Sequence, residues 1–282
     1  MTEGLGIPQW RSLNAQERAL AYSPSKALPD GDLTPYIEAY AKDSAAIYAA
    51  HPNMQTLHYG DSPTQTIDLF VPDTTAPAPL VIYIHGGYWQ ALSKRDSTFA
   101  AQGFLDNGIA FAAVDYTLAP DASLIQIEEE CVRAVQHLYE HEEHSKFDKS
   151  RIALCGSSAG AHLVAMTCIN LPFEPKCAVL LSGIYDLEPL IGTYVNDPLH
   201  LNVETARHSS PLHHDLSRFP KALLAYGEIE TDEFKRQSRA FAALLSDAEC
   251  LEIPTRNHFD IVYDISNESA LAARVFELVR TA

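Results

Sequence analysis

Uninterrupted apolar runs alternate with amphipathic stretches over most of the chain, and their order predicts the architecture. Residues 80–84, Leu-Val-Ile-Tyr-Ile, are apolar throughout, as a strand buried on both faces of a sheet must be. Comparable runs predict strands at 109–115, 151–155, 177–182, 221–226 and 249–253. Between them apolar positions recur at helical spacing, giving helices at 93–107, 122–144, 159–170, 232–246 and from Ser266 onward. In the second of these, Leu124, Ile127, Cys131, Val135 and Leu138 form one stripe, with Glu128, Glu129, Glu130 and His137 assigned to the polar side. Repeated strand-then-helix order implies an α/β fold: a mostly parallel central sheet with helices on both faces. In such sheets the site lies beyond the carboxyl ends of the strands.

Upstream the pattern changes. Residues 54–59 and 64–71 alternate apolar and polar around Gly60-Asp61-Ser62-Pro63, a hairpin signal for a sheet edge, and proline-rich residues 72–79 link it to the first buried strand. Residues 1–50 carry two amphipathic stretches, 14–21 and 35–50, separated by Pro24, Pro29, Asp30 and Gly31. They either cover the site as a lid or pad the edge of the sheet. A proline-interrupted insertion at about 185–220 is expected to complete a small cap on a single domain spanning 1–282.

Chemistry enters at residues 156–160, Gly-Ser-Ser-Ala-Gly, which follow an apolar strand and open an apolar helix. That is the strand-turn-helix setting of a nucleophile elbow, in which Gly156 and Gly160 permit a turn that pushes Ser158 to its tip. Ser158 is therefore the candidate nucleophile. At the end of the strand 80–84 the chain reads His85-Gly86-Gly87-Tyr88-Trp89, the place where α/β-hydrolases present oxyanion-binding amides, the other coming from the residue after the nucleophile. Gly87 and Ala159 are assigned to that role, with Gly86 or Tyr88 assisting. His258, beyond the last strand and the only histidine after His214, is the candidate base. Of the carboxylates following the strand 221–226, Glu228 reads as strand; Glu230 is the preferred acid, with Asp232 as runner-up. Serine, acid, histidine is the α/β-hydrolase order.

Composition narrows the partners. The 282 residues include 37 acidic against 20 basic side chains, a formal net charge of −17, which repels nucleic acid and anionic membrane surfaces. No apolar run approaches the roughly 18 residues of a membrane span, and no secretory leader pattern opens the chain, so a cytoplasmic protein is expected. Cys131, Cys155, Cys168, Cys177 and Cys250 form no C-x-x-C pair and read as reduced core thiols. His137, His141 and His144 share a helix face at metal-binding spacing, but nothing completes a site. Neither a metal nor another cofactor is expected. Tyr88, Trp89, Tyr185 and Tyr194 either line an aromatic-accepting cleft or pack the cap onto the body. A homodimer stays open.

The chain resembles the kynurenine formamidase (arylformamidase) branch of the α/β-hydrolases, near the hormone-sensitive-lipase-like esterases. Carrying the likeness are Tyr-Ser-Pro-Ser at 22–25, the H-G-G-x-W loop, the elbow, Ser-Gly-Ile-Tyr-Asp-Leu-Glu-Pro at 182–189, residues 230–238 and His258-Phe259. The resemblance implies a serine hydrolase that cleaves a small carboxylic ester or aryl formamide through an acyl-enzyme. The alternatives are a dedicated N-formylkynurenine formamidase and a non-catalytic binding protein on the same fold. The family's acid is usually an aspartate where Glu230 falls.

Overall fold

A computed structural model of the chain describes residues 9–140 and 147–281. It opens with helices α1 (Ala15–Ala21) and α2 (Thr34–Ala50). Asn14 starts α1 through a capping box, accepting from the Glu17 amide at 3.0 Å while the Glu17 carboxylate accepts from the Asn14 amide at 2.8 Å. The expected hairpin follows as β1 (Gln55–His58) and β2 (Thr66–Phe70). The alternating part then runs β3 (Ala78–Ile84), α3 (Ala101–Asp106), β4 (Ala110–Val114), α4 (Leu124–Glu140), β5 (Phe147–Ser157), α5 (Ala159–Asn170), β6 (Cys177–Leu181), α6 (Val203–His208), β7 (Ala222–Ile229), α7 (Asp232–Ala242), β8 (Ala248–Asn257) and α8 (Ala270–Thr281).

The eight strands form one sheet in the order β1-β2-β4-β3-β5-β6-β7-β8. β2 pairs antiparallel with β1 and β4, and every other neighbour pair is parallel. Alternate residues of β3 feed two cores: Leu80, Ile82 and Ile84 pack on one face with Leu124, Leu163 and Phe241, while Val81 and Tyr83 pack on the other with Phe104 and Val275. This two-sided burial is why the strand carries no polar position. Among the described residues no helix is long and apolar enough to cross a membrane.

Several boundaries depart from expectation for local reasons. The helix read at 93–107 is a turn at Lys94–Asp96 followed by the short α3, because Ser93 Oγ accepts from the Arg95 amide at 3.1 Å and Ser97 Oγ donates to the Ser93 carbonyl at 2.8 Å. Such serine bonds compete with the helical ladder. Glu128 and Glu130 are buried rather than solvated; Glu130 accepts from Gln65 Nε2 at 2.9 Å and from the Thr117 amide at 2.7 Å. His141 and His144 lie outside the described residues. Residues 185–220 form short turns around α6, and Leu187, Leu190 and Val195 join the main core. Arg18 ties α1 to this insertion, donating to the Pro189 and Ile191 carbonyls at 2.9 Å each.

Four of the cysteines are buried and Cys250 is half-buried, all as free thiols. Burial pushes their pKa values up, Cys177 to about 12 and Cys250 to about 11, which leaves them inert as nucleophiles near neutrality.

The chain is tightly packed where α5 crosses β3: a Cβ on Gly160 would lie 2.1 Å from the Ile84 carbonyl oxygen. Gly160→Ala should therefore cost about 1–3 kcal/mol through forced backbone displacement, read as a fall of several degrees in Tm against wild type; an unchanged Tm would show that the helix can withdraw freely.

Candidate active site

Ser158 occupies the turn between β5 and α5 at φ 56°, ψ −123°, a conformation that strains a residue bearing a Cβ. Its amide donates to the Leu181 carbonyl at 2.7 Å, and its carbonyl accepts from the amides of Ala161 at 3.0 Å and His162 at 3.2 Å. The two serines of the motif separate here. Both border a cavity of about 470 Å³, but Ser157 is buried with Oγ 3.0 Å from the Tyr83 hydroxyl, whereas Ser158 is half-buried at the tip of the turn.

His258, immediately after β8, borders the same cavity. Its Nδ1 lies 2.9 Å from Glu230 Oε2. The other oxygen of that buried carboxylate accepts from the Gly227 amide and from Ser182 Oγ, both at 2.6 Å. With Nδ1 donating to Glu230, the neutral ring keeps Nε2 as its acceptor. Phe234 meets the ring edge-on, centroids 4.5 Å apart. Glu230 thus takes the place for which Asp232 was runner-up. Asp232 is exposed as the first residue of α7, where a carboxylate suits the helix dipole, and Glu228 accepts from the Thr255 amide at 2.8 Å.

The loop 85–89 is pressed against the elbow: a Cβ on Gly86 would sit 2.8 Å from the Ser157 carbonyl oxygen and 3.3 Å from Ser158 Cβ. Gly87, Tyr88 and Trp89 follow with φ of 98°, 52° and 62°, a tight reversal. His85 holds the loop from behind, stacked on Tyr116 at 4.2 Å. This sets Gly86 against the elbow, with Gly86 and Gly87 lining the same cavity as Ser158 and Ala159 next to it in the chain. Tyr88 and Tyr194 line the cavity; Trp89 and Tyr185, expected there, do not. Both are fully buried. Trp89 Nε1 donates to His162 Nδ1 at 3.2 Å, tying the loop to α5, and Tyr185 stacks on Phe241 at 4.2 Å.

The sequence reading gave no role to Ser182, His162, Tyr22 or Phe234. Ser182 stands at the carboxyl end of β6, the single positional signal available. The Tyr22 hydroxyl donates to Glu233 at 2.7 Å and accepts from Gln237 Nε2 at 3.1 Å, so the N-terminal segment is built into the wall of the site. His162 Nε2 lies 2.6 Å from the Ser209 carbonyl and 3.8 Å from Glu128. Burial nevertheless keeps that pair uncharged near neutrality, pushing Glu128 up to about 8 and His162 down to about 4. Elsewhere Asp186, Glu188 and His213 bring potential ligand atoms within 4.8 Å, but Arg207 holds Glu188 at 2.5 Å and Trp10 holds Asp186 at 3.2 Å.

A parallel sheet with a glycine-flanked serine elbow and a carboxylate-held histidine at its carboxyl edge defines an α/β-hydrolase. A solved structure of a candidate thioesterase from Silicibacter sp. shares the fold with a TM-score of 0.82 at 26% identity, over 90% of this chain and 97% of its own. Residues 67–182 match the family model BD-FAE. The kynurenine formamidase of Danio rerio is 31% identical, over 95% of this chain and 97% of its own length, and that of Salmo salar 32% identical, over 91% and 93%. The chain belongs to the kynurenine formamidase family and is a hydrolase.

If Glu230 rather than Asp232 orients His258, Glu230→Gln lowers kcat for an aryl acetate by roughly 10⁴-fold, the scale of a lost triad acid, while Asp232→Asn stays within about twofold; the reverse ranking would reassign the acid. The Glu128–His162 pair makes a separate prediction about stability. Glu128 is raised from 4.5 to about 8, so its contribution is full below 4.5 and is lost as pH rises toward 8. His162 is lowered from 6.5 to about 4, so its contribution is full above 6.5 and is lost as pH falls through 4. Between 6.5 and 8 only Glu128 of this pair changes. Tm measured across that window should fall less steeply in Glu128→Gln than in wild type; equal slopes would remove Glu128 from the account.

Proposed function

We propose that the protein is a serine hydrolase of small carboxylic esters and aryl formamides, with Ser158 as nucleophile, His258 as base and Glu230 as the acid that orients it. The observation that carries this reading is the 2.9 Å Glu230–His258 contact opening on the same cavity as the elbow serine. His258 Nε2 takes the Ser158 proton as Oγ attacks the acyl carbon. The oxyanion forms against the amides of Gly87 and Ala159, with Gly86 alongside; the second of these amides opens α5, where the helix dipole favours negative charge. Collapse returns the proton to the departing alcohol or amine and leaves an acyl-enzyme. Water then gives its proton to His258 and releases the acid. Glu230 accepts from Nδ1 throughout and stabilises the imidazolium formed in each half.

The aromatic walls of the cavity suit an aryl leaving group. A second reading, a dedicated N-formylkynurenine formamidase, is favoured by the named activity of the relatives. A formyl group needs no acyl pocket, so the acyl series separates the two. On either reading the setting is cytoplasmic and the partner a small molecule, with neither nucleic acid nor membrane involved, in keeping with a net charge of −17.

Ser158→Ala should lower kcat by roughly 10⁴–10⁶-fold and abolish labelling by a fluorophosphonate probe, with the fold intact by circular dichroism. Wild-type-like turnover in that variant would end the serine-hydrolase reading. Rates on p-nitrophenyl acetate and butyrate at or above that on N-formylkynurenine support the broader reading; hydrolysis confined to the formamide supports the dedicated one.

A further inference from the structure

The walls of the catalytic cavity are unusual in their charge. Apart from His258, the one carboxylate or basic side chain among the described lining residues is Asp96; none of them is a lysine or an arginine. The cations that stand nearest in the chain are engaged elsewhere. Lys94 Nζ is locked onto the buried Asp68 carboxylate at 2.8 Å, and the Arg95 guanidinium lies over the Tyr48 ring, 4.2 Å from its centroid. In the N-terminal wall, Arg18 spends its donors on the carbonyls of Leu13, Pro189 and Ile191. Asp96 itself is half-buried and held by Ser93 Oγ at 2.9 Å, a neutral donor that leaves its charge uncompensated. The remaining wall is largely apolar and aromatic, including Tyr40 and Phe99 stacked at 5.2 Å, with Phe259 beside His258 at 5.3 Å.

We propose that this cavity selects its substrates by charge, accepting esters and formamides whose buried part is neutral or cationic and rejecting those that carry a carboxylate there, with Asp96 as the specificity-determining residue. The inference rests on the serine-hydrolase reading above and deepens it. A carboxylate entering the cavity loses its hydration without gaining a counter-ion. It also meets Asp96 at reduced dielectric and approaches against the field of a strongly acidic protein. A cation gains in each respect: Asp96 is a partner of opposite sign, and the aromatic faces attract positive charge. The consequence reaches the named activity of the relatives, because the amino-acid end of an N-formylkynurenine brings an ammonium that Asp96 can pair together with a carboxylate that no lysine or arginine on this wall neutralises.

Three phenyl acetates identical except at the meta position test this directly. One bears trimethylammonio, one its neutral isostere tert-butyl, and one carboxylate, and each kcat/KM is divided by the rate of hydroxide-catalysed hydrolysis to remove differences in leaving-group reactivity. In wild type the corrected value for the carboxylate should fall at least about tenfold below that for tert-butyl, and the trimethylammonio ester should equal or exceed it. Asp96→Asn should lower the trimethylammonio-to-tert-butyl ratio about fivefold or more, and Asp96→Lys should raise the carboxylate-to-tert-butyl ratio by about tenfold. Being ratios within one variant, they are insensitive to partial misfolding. A wild-type enzyme that treats all three alike, or ratios that neither Asp96 variant moves, would overturn the inference while leaving the catalytic reading intact. Hydrolysis of the tert-butyl ester that persists in Ser158→Ala, or is absent from wild type, would overturn the catalytic reading and this one with it.

Discussion

The site depends on how closely α5 can lie on the sheet. Ser158 holds its strained backbone because β5 and α5 meet through glycines on both sides, with Gly160 directly over the Ile84 carbonyl and the space beside Gly156 filled by the Gly160 carbonyl. α5 presents no polar face to oppose that approach; residues 159–168 are all buried. Since Ile84 ends β3, the contact that fixes the helix also fixes where the next residues emerge, and Gly86 arrives against Ser157 and Ser158. The proposed nucleophile, the glycine loop and the helix N-terminus are thus one packing event rather than three placed groups. Trp89 closes it from the far end by bonding to His162 on α5.

The proposed acid and base come from the other side of the elbow by a different logic. β6, β7 and β8 are successive parallel neighbours, so the residues after their carboxyl ends share one edge of the sheet. Ser182 follows β6, Glu230 follows β7 and His258 follows β8, and these three are hydrogen-bonded in sequence. A parallel sheet brings them together without any long-range search beyond strand order. Tyr22 couples this half to the first: its side chain bonds α7 through Glu233 and Gln237, and its carbonyl accepts from the Tyr88 hydroxyl in the oxyanion loop. The N-terminal segment therefore holds the two halves in register as well as walling the cavity.

What could be read from the sequence follows from this division. The elbow, the glycine loop and His258 were legible because each is a local pattern at a strand end, and chain order alone connects them. Glu230 and Asp232 stayed unresolved because they are two residues apart, and the choice turns on which one the Gly227–Thr231 turn faces inward. The structure shows the longer glutamate reaching Nδ1 while also taking the Gly227 amide and Ser182. Trp89 and Tyr185 were not legible as core residues, since an aromatic in a loop reveals its burial only once its neighbours, here His162 and Phe241, are in place. The broken helix at 93–107 has the opposite cause: the hydrophobic period was real, but the Ser93 and Ser97 side chains bond the backbone locally, in competition with the helical ladder.

Charge is arranged as sparingly inside the site as it is abundant outside. Beneath the elbow, His162 stands one turn from Ser158, yet burial holds it neutral at pH 7, outweighing its bond to the Ser209 carbonyl, which favours the charged form. Glu128 beside it is held protonated by the same burial. Had these two ionised, a fixed dipole would lie under the helix terminus proposed to receive the oxyanion, competing with the amides for control of the developing charge. With both neutral, the proton proposed to pass between Ser158 and His258 would be the dominant change of charge in the catalytic cycle, and Glu230 is placed to respond to it. The neutral layer behind the proposed nucleophile and Asp96 on the wall of the same cavity would serve a common physical end: the proposed reaction and selection would each be governed by a single charged group in a medium where one charge counts.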